Sequence, residues 1–454
     1  MQTFEKDMEM AQTIAKAVRA AGGTAYYVGG YVRDRLLKIE NKDIDIEVHG
    51  VTPMQLMEIL DGLGTRLSIG ESFGIFGLKG YTVDIAMPRK EKQRGKGHRD
   101  FEMFVDPFIG TEKAAQRRDF TVNALMMDVL TGEIIDHFGG IDDLNRKILR
   151  HVSGETFAED ALRVLRAAQF AARFDFTVAE ETMALCYGIS LAELSKERIE
   201  AEMEKALLKA KKPSVFFETL RKMNQLSVWF PEAEALIGVE QNPKYHAEGD
   251  VWNHTMMVLD VAAELRDQTE NPFGFMLTAL THDFGKPIST EMINGKLCSY
   301  SHETKGLPIV KRFLQRITTE TKLIKYVLNM TEYHMKPHQL AAQCSSVKST
   351  NKLFDCSVAP KDLVLFAKAD HLGRQTTEPA PDHDAFLWER LERFRQTMAK
   401  PYVMGRDLIA QGLKPNAQFS EILNYAHKLR LAGIEKEDAL KQTLAYAKTV
   451  SKKE

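Results

Sequence analysis

The chain has 454 residues, of which 44% are apolar and 27% charged, and its formal net charge is −2. This length predicts several domains, and the balanced charge means that a nucleic-acid partner would have to bind local basic patches. No run of about 18 uncharged apolar residues occurs and the charged N-terminus lacks the apolar core of a signal peptide, so we expect a cytosolic protein without a membrane span.

The cysteines are few and far apart in the sequence, and none belongs to a CxxC pair; they are Cys186, Cys298, Cys344 and Cys356. This spacing predicts neither a zinc knuckle nor a disulfide framework. We expect reduced thiols, most of them buried.

The N-terminal third alternates helical and strand patterns, which predicts an α+β module with a small mixed β-sheet and helices. The predicted elements are a helix over 4–21, a strand over 25–28, a helix over 30–37, an acidic strand over 43–48, a helix over 53–62 and two short strands within "GIFGLKGYTVDIAMP".

The acidic strand "DIDIEV" places Asp43, Asp45 and Glu47 on one face, because residues i and i+2 of a strand point the same way. Neighbouring carboxylates repel each other unless a cation lies between them, and Mg²⁺ that carries substrate phosphates suits such a site. Asp84, on a predicted neighbouring strand, is our third carboxylate, and Glu47 is its competitor. The pattern indicates two-metal nucleotidyl transfer, although an isolated Asp-x-Asp is more often a solvated strand face.

Two nearby motifs favour a triphosphate. In "GGYVRD", Gly29 and Gly30 allow backbone N–H groups to approach phosphates at a helix N-terminus, and Arg33 can pair with phosphate oxygens. In "RRDFTVNAL", residues Arg117, Arg118 and Asn123 can add phosphate and ribose contacts. Taken singly, the glycines are equally consistent with a tight turn and the arginines with surface ion pairs.

From "FAEDALRVLRAAQFAARFDF" onward nearly every segment has helical periodicity, so we predict that the last two thirds are all-helical. The polar, proline-bearing stretch 376–385 interrupts this pattern and marks an expected linker or domain edge.

A second set of candidate metal ligands lies on separate predicted helices of these last two thirds. Adjacent His282 and Asp283 can aim at one cation, with His254 and Asp370 closing the shell. Imidazole with carboxylate suits a transition metal, or Mg²⁺, that activates water. A lone histidine is more often a core or surface residue, so the prediction depends on the set.

Five motifs in order resemble the head and neck of the class II tRNA nucleotidyltransferases, which are the CCA-adding enzymes and the bacterial poly(A) polymerases. The resemblance covers about residues 25–176, through "VGGYVRDRLL…KDIDIEV", "VDIAMPRKE", "RRDFTVNALMMD", "DHFGGIDDLNRKILRHV" and "EDALRVLRAAQFAARF". It implies that Asp43 and Asp45 bind the catalytic Mg²⁺, and that Gly30, Arg33 and Arg118 hold the incoming triphosphate.

The resemblance also implies how a base is chosen without a nucleic-acid template. Asp160 and Arg163 would face the Watson–Crick edge of CTP or ATP, with Glu159 steadying the arginine, as a fixed side-chain fork can read a base edge. Arg166 would add a nucleotide contact. Relatives usually repeat arginine at the next position of this series, where this chain has Gln169, so one contact is in doubt unless Arg173 or another residue replaces it.

Downstream, the histidine and aspartate spacing resembles the HD phosphohydrolase domain. His302 and His334 match the extra histidines of the larger HD arrangement, which implies a second metal ion there. Hydrolysis of phosphomonoesters or 2',3'-cyclic phosphodiesters is our hypothesis. The basic segment 87–100 falls where CCA-adding enzymes carry a flexible loop, and the helix expected to begin at 405–407 resembles a tail that grips the tRNA elbow.

These observations predict a multidomain α+β protein with four domains: a nucleotidyltransferase head (1–139), a helical neck (140–235), an HD domain (236–375) and a helical, tRNA-binding tail (376–454). The leading hypothesis is addition of CCA to tRNA with CTP, ATP and Mg²⁺. A poly(A) polymerase and an A-adding tRNA nucleotidyltransferase remain open. So does a different class, an HD phosphohydrolase whose non-catalytic head binds RNA.

Overall fold

A computed structural model describes residues 2–41, 43–70, 74–93, 101–377 and 381–450. The chain divides into two compact units, the first comprising Met1–Glu202 with Val215–Gln225 and the second Met203–Ser214 with Leu226–Glu454. Within the described ranges, no helix combines the length and apolar character that a membrane crossing requires.

The first unit contains a mixed β-sheet. Its strands are β1 (Thr24–Val28), β2 (Ile44–His49), β3 (Arg66–Gly70), β4 (Ile75–Leu78), β5 (Val83–Ala86), β8 (Met126–Asp128) and β9 (Ile134–Ile135), and β6 (Arg89–Gln93) pairs separately with β7 (Phe101–Val105). The spatial order of the described strands is β3, β4, β5, β2, β1, β8, β9, and β2 runs antiparallel to β1 and parallel to β5. Ile44, Ile46 and Val48 of β2 are buried, as their alternation predicts.

The other elements that begin in the first unit or at its edge are mostly helical. They are α1 (Gln2–Ala20), α2 (Gly30–Leu36), α3 (Pro53–Leu63), α4 (Thr111–Gln116), α5 (Gly140–Arg146), β10 (Ile148–Leu149), α6 (Gly154–Ala158), α7 (Leu162–Phe174), β11 (Thr177–Val178), α8 (Glu180–Tyr187), α9 (Lys196–Lys209) and α10 (Ser214–Lys222). The predicted elements of the N-terminal third are confirmed to within two residues. The acidic strand begins at Ile44, one residue later than predicted, so Asp43 precedes it.

The second unit is largely helical. Its elements are α11 (Pro231–Glu234), α12 (Val251–Leu265), α13 (Pro272–Thr281), β12 (Thr290–Ile293), β13 (Lys296–Ser299), α14 (His302–Lys305), α15 (Leu307–Ile317), α16 (Thr321–Tyr333), α17 (Lys336–Ala342), α18 (Val347–Cys356), α19 (Pro360–Leu372), α20 (Asp384–Ala399), α21 (Gly405–Ala410), α22 (Phe419–Leu431) and α23 (Lys436–Val450). The all-helical prediction was wrong at β11 and at the β12–β13 hairpin. Asn294 and Gly295 join that hairpin with positive φ angles of 50° and 73°, and an Asn-Gly pair is the sequence signal for such a turn.

The break predicted at 376–385 separates α19 from α20, and residues 378–380 within it lie outside the described residues. Leu387 and Leu391 of α20 nevertheless pack in one core with Phe354 and Val364 of the preceding helices. A different core begins at Val403 and is built from α21, α22 and α23. A domain edge at 376 remains a prediction, and packing favours an edge closer to 403.

Two other expectations concern the loop and the thiols. Residues 94–100 of the predicted basic loop 87–100 lie outside the described residues, although β6 and β7 on either side pair with each other. All four cysteines lie in described parts of the chain as thiols, but only Cys186 is buried, while Cys344 and Cys356 are exposed. The expectation of mostly buried thiols was therefore wrong.

Candidate functional site

The first unit has a cavity of about 450 Å³ beside the acidic strand. Asp45 on β2 and Asp84 on β5 are direct partners across the parallel strand pair, and both line this cavity. Arg117, Arg118 and Arg163 also contribute to its wall. The cavity therefore combines two adjacent carboxylates with a basic wall, which suits a metal-bound triphosphate.

The electrostatics of the carboxylates indicate a site for a cation. Burial raises the pKa of Asp45, and the charges of Asp84 and Asp43 raise it further, while Arg118 opposes them. Asp43 is exposed before β2, where its backbone N–H donates to Asn41 Oδ1 at 2.9 Å. Within the described residues, groups of three ligand atoms lying within 4.8 Å occur in the second unit and do not include these aspartates. A metal in the head would therefore need ligands from substrate or water besides Asp45 and Asp84.

Glu47, the competing third carboxylate, has other partners. It is buried, and its carboxylate lies 2.9 Å from His49 Nε2 and 3.2 Å from Arg118 Nη2. Burial raises the pKa of Glu47, but the hydrogen bond from His49 and the charge of Arg118 outweigh this and lower it. Glu47 thus orients Arg118 at the cavity wall, and Asp84 fits the third carboxylate better.

Arg33 and Asn123, predicted to contact substrate, lie in a buried network instead of on the cavity wall. Arg33 is 4% exposed and donates to Asp34 Oδ1 at 2.7 Å and to Asn123 Oδ1 at 2.6 Å. Its guanidinium carbon also lies 4.4 Å from the ring centroid of Phe174. Arg33 is thus not among the described residues that line the cavity, and its contact with a phosphate remains a prediction.

The glycine pair lies as its predicted role requires. Gly29 precedes α2 with φ 64° and ψ −131°, a conformation that L side chains rarely adopt. A Cβ at Gly29 would lie 3.4 Å from Arg118 Nη1 and 3.9 Å from Asp45 Oδ2, and one at Gly30 would lie 3.4 Å from Arg33 Nη2. Gly29 therefore keeps the backbone next to the carboxylate and the arginine of the cavity.

Sequence reasoning missed Asp119, which joins the head motifs to α7. Asp119 is buried and accepts from Arg166 Nε at 2.7 Å, from Asn123 Nδ2 at 2.9 Å and from the backbone N–H of Phe120 at 2.8 Å. Burial raises its pKa, but the charge of Arg166 and these hydrogen bonds outweigh burial and lower it. Its position between the two arginines and Asn123 in "RRDFTVN" was the available signal.

The predicted base-reading residues have protein partners in this conformation. Both Asp160 oxygens lie 2.9 Å from Nη2 of Arg198 on α9, and Glu159 is exposed. Arg163 donates to the carbonyl oxygens of Thr156 and Arg117, the latter at 2.7 Å. Arg163 lines the cavity, and the contact of these side chains with a base remains a prediction.

Gln169 is 1% exposed, and among the described residues its amide nitrogen has no hydrogen-bond partner. It lies on α7 and is not among the described residues that line the cavity. Arg173, the suggested replacement, stacks on Phe174 at 4.9 Å.

The second unit brings together all six predicted HD ligands, which come from α12, α14, α19, the turn after α13 and the residue that follows α16. Two groups of three have ligand atoms within 4.8 Å of one another, namely His254, His282 and Asp370, and Asp283, His302 and His334. Asp283 lies between the groups, with Oδ2 3.2 Å from His282 Nε2 and Oδ1 3.1 Å from His302 Nε2. The arrangement can hold two cations with Asp283 as a shared ligand.

The imidazole orientations fit metal binding. Nδ1 of His282, His302 and His334 faces the backbone carbonyl three residues earlier, at 3.0, 2.8 and 2.7 Å. A neutral imidazole that donates from Nδ1 presents a lone pair at Nε2. Here Nε2 of His282 lies 3.4 Å from that of His254, and Nε2 of His302 lies 3.2 Å from that of His334. Facing lone pairs are unfavourable unless a cation or proton lies between them.

The charges and the surroundings of this site agree with that interpretation. Burial raises the pKa of Asp283, but His282 and Lys286 hold it well below its usual range. In the part of the chain that the structure describes, Asp283 Oδ2 has no partner of hydrogen-bond geometry, although Lys286 Nζ is 2.7 Å away. Burial lowers the pKa of His334 to about 3, which keeps the ring neutral and able to bind metal.

Sequence reasoning missed several residues around these ligands. Lys286 contacts Asp283, while Arg374 and His338 contact Asp370 Oδ2, His338 at 3.3 Å. A cavity of about 340 Å³ opens onto the site and is also lined by Tyr245 and Tyr300. Its size admits a small phosphate ester.

Comparisons with known proteins agree with both sites. The family model described as the Poly A polymerase head domain matches residues 25–150, the one described as a probable RNA and SrmB-binding site of polymerase A matches 175–237, and the HD domain model matches 251–375. The chain is 37% identical over 413 residues to the multifunctional CCA protein of Pasteurella multocida, covering 87% of this chain and 94% of that protein.

A second relative and a solved structure extend the comparison. The multifunctional CCA protein of Haemophilus ducreyi is 37% identical over 412 residues, with 88% of this chain and 96% of that protein covered. The fold is similar to that of the Thermotoga maritima CCA-adding enzyme complexed with tRNA, with a TM-score of 0.64, 20% identity and coverage of 97% of this chain and 95% of that one.

Proposed function

The chain belongs to the family of the multifunctional CCA proteins, and from this membership we propose that it adds and repairs the 3'-terminal CCA of tRNA without a nucleic-acid template, using CTP and ATP. The observation that carries the proposal is the Asp45–Asp84 pair in the arginine-lined cavity of the head. We also propose that the activity is cytoplasmic, because tRNA, CTP and ATP are available there.

The residues of the head have separate tasks in this reaction. Asp45 and Asp84, with Asp43 before β2, would hold Mg²⁺, which would lower the pKa of the tRNA 3'-hydroxyl and neutralise charge on the triphosphate. Arg117 and Arg118 supply donors for phosphate oxygens, and Glu47 keeps Arg118 in place. Gly29 lets the backbone approach the nucleotide beside them.

A hydrogen-bonded network adjoins the motifs of this cavity and consists of Arg33, Asn123, Asp119 and Arg166. Their hydrogen bonds connect α2 to α7, which carries Arg163, the arginine expected to face the base. Asp160 and Arg163 would read CTP or ATP once a base competes for the protein groups that now hold them.

A second activity is favoured by the two ligand groups around Asp283. We propose that the HD site hydrolyses small phosphate esters, with 2',3'-cyclic phosphodiesters and phosphomonoesters as candidate substrates. Two metal ions held there would lower the pKa of a water molecule and polarise the phosphoryl group. Lys286, at 2.7 Å from Asp283, keeps a positive charge beside the phosphate position.

The test of the first activity is extension, at single-nucleotide resolution, of three tRNA transcripts ending before CCA, after C and after CC. With CTP, ATP or both, we expect C, C and A followed by arrest. Addition of A to the CC-ended transcript alone would indicate an A-adding enzyme, and unlimited A on all three a poly(A) polymerase. Retained addition after Asp43→Ala and Asp45→Ala together would refute the proposed metal ligands.

The HD activity is tested separately, with the full chain and a phosphate ester in the presence of added metal. We expect His282→Ala and Asp283→Ala each to abolish hydrolysis while CCA addition continues. The matched control is Asp45→Asn, which disables the head and leaves the HD residues intact. Equal hydrolysis by wild type and both HD variants would refute the proposal. Loss of hydrolysis in Asp45→Asn would show that the hydrolysis belongs to the head and not to the HD site.

A further inference from the structure

Glu248 lies in the loop before α12, next to the HD ligands but outside the predicted set. Its side chain is 2% exposed, which is unusual for a carboxylate unless it is paired and hydrogen-bonded. The loop is held locally by Asp250, which caps α12 by accepting from the backbone N–H of Asn253. Glu248 is therefore a buried acidic group in a fixed position whose purpose has to be explained.

Three nitrogen atoms surround the Glu248 carboxylate. Oε1 lies 2.8 Å from His246 Nδ1 and 3.1 Å from His254 Nδ1, and Oε2 accepts from the backbone N–H of Gln375 at 2.9 Å. The backbone N–H of Ala247 also donates to the Gln375 carbonyl at 2.7 Å. These contacts join the loop to the segment after α19, which carries Asp370.

The two nitrogens of His254 face opposite sides of its ring. Nε2 lies 3.2 Å from Asp370 Oδ1 and 3.4 Å from His282 Nε2, on the side where a metal would bind. Nδ1 faces Glu248. A metal-bound histidine commonly directs its other ring N–H to a carboxylate, which fixes the tautomer and makes the ring a better ligand.

A third metal ion is the alternative, because ligand atoms of His246, Glu248 and His254 also come within 4.8 Å of one another. A neutral imidazole has one lone pair. If His254 used Nδ1 to bind a cation beside Glu248, its Nε2 would carry the proton and could not join His282 and Asp370. The buried group of His254, His282 and Asp370 would then lose a ligand, so the outer contact is the consistent assignment.

We propose that Glu248 is a positioning residue for the HD metal site. It holds the proton of His254 on Nδ1 and so directs Nε2 at the metal. The inference rests on the proposed metal function of that site. His254 differs here from His282, His302 and His334, whose Nδ1 atoms face backbone carbonyls that no substitution removes. The orientation of His254 depends on a side chain, so it is open to mutation.

The experiment uses the full chain, stripped of metal and titrated with Co²⁺, whose absorption spectrum reports on its ligands. We compare wild type, Glu248→Gln and Glu248→Ala with Glu389→Gln, a surface control whose carboxylate pairs with Arg393 at 2.6 Å. Removing an outer carboxylate commonly lowers metal affinity by about 10–100-fold. We expect that loss in Glu248→Ala, with an altered Co²⁺ spectrum and the wild-type number of ions per chain. Glu248→Gln should lose less, because its amide oxygen still accepts a hydrogen bond.

The outcomes separate this inference from the proposed function on which it rests. Equal Co²⁺ affinity and spectrum in wild type and Glu248→Ala would overturn it while the metal site stands. If Glu248→Ala binds one ion fewer per chain than wild type, Glu248 is a direct metal ligand, and this result would also overturn the inference. Wild type that binds no Co²⁺ would refute the metal site itself. CCA addition and the fluorescence of Trp252 on α12 check folding, and if Glu248→Ala fails them, Glu248→Gln carries the comparison.

Discussion

Replacing Asp45 by Asn should abolish nucleotide addition and yet stabilise the metal-free head. Asp45 and Asp84 are partners on adjacent strands, so their side chains are about 5 Å apart. Two charges at this distance repel by about 0.8 kcal/mol in water and about 3 kcal/mol at an effective dielectric constant of 20. Because Asp84 is exposed and Arg118 offsets part of the repulsion, we expect a gain of about 1 kcal/mol at neutral pH.

The pH dependence has a definite sign. The folded head raises the pKa of Asp45 above its ordinary value of 3.8, so ionising this group destabilises the folded state. That cost is absent when the carboxyl is protonated and appears as the pH rises through the folded pKa. The advantage of Asp45→Asn should therefore be full at neutral pH and disappear towards about pH 4. Magnesium should stabilise wild type and leave the variant unchanged.

The assay must follow the head alone. The three tryptophans, Trp229, Trp252 and Trp388, all belong to the second unit, so their fluorescence does not report on it. Hydrogen exchange of peptides covering β2 measures the head directly. Asp61→Asn, which removes an exposed carboxylate paired with Arg66 at 3.0 Å, is the control and should not gain stability. If exchange in Asp45→Asn is no slower than in wild type, the repulsion argument is refuted. It is also refuted if Asp61→Asn slows exchange by the same amount.

Three further predictions follow from buried or strained positions. Asp119→Ala removes the buried partner of Arg166 and should cost the head about 3 kcal/mol, measured by hydrogen exchange; unchanged exchange would contradict this. Gly29→Ala forces a residue with a Cβ to φ 64°, which costs about 1–3 kcal/mol of strain. The variant should have a higher KM for ATP in extension kinetics. A KM equal to that of wild type would show that this backbone conformation is not needed. Tyr326→Phe removes the 2.6 Å hydrogen bond to Asp362 and should lower the stability of the second unit by about 1.5–3 kcal/mol in urea, followed by tryptophan fluorescence; a loss below about 0.5 kcal/mol would contradict it.

Alternation and motif order predicted the strand that carries Asp45, its neighbour with Asp84 and the set of HD ligands. These signals are local or depend on residue type, so one sequence contains them. The hairpin at Asn294 and Gly295 was also local, and was missed because helical periodicity was given precedence over turn residues.

Burial and pairing were much harder to predict, because they depend on residues distant in sequence. Arg33 has the charge and the motif position of a phosphate ligand, yet Asn123, ninety positions away, accepts one of its hydrogen bonds. Glu47 looked like a third metal carboxylate until folding placed Arg118 beside it. In both cases the residue type was informative, but the partner that the structure shows lies far away in the sequence or on another element.

The HD site shows why ligand identity alone does not define a metal centre. The sequence supplies histidines, but their use depends on which ring nitrogen faces the cation. Backbone carbonyls orient three of them at distances of 2.7–3.0 Å, and these acceptors exist whatever the neighbouring side chains are. For His254 the neighbour of Nδ1 is Glu248, six positions earlier and 3.1 Å away, and we propose that it is the acceptor. Since imidazole has one lone pair, a change at this carboxylate can alter metal binding without touching a ligand.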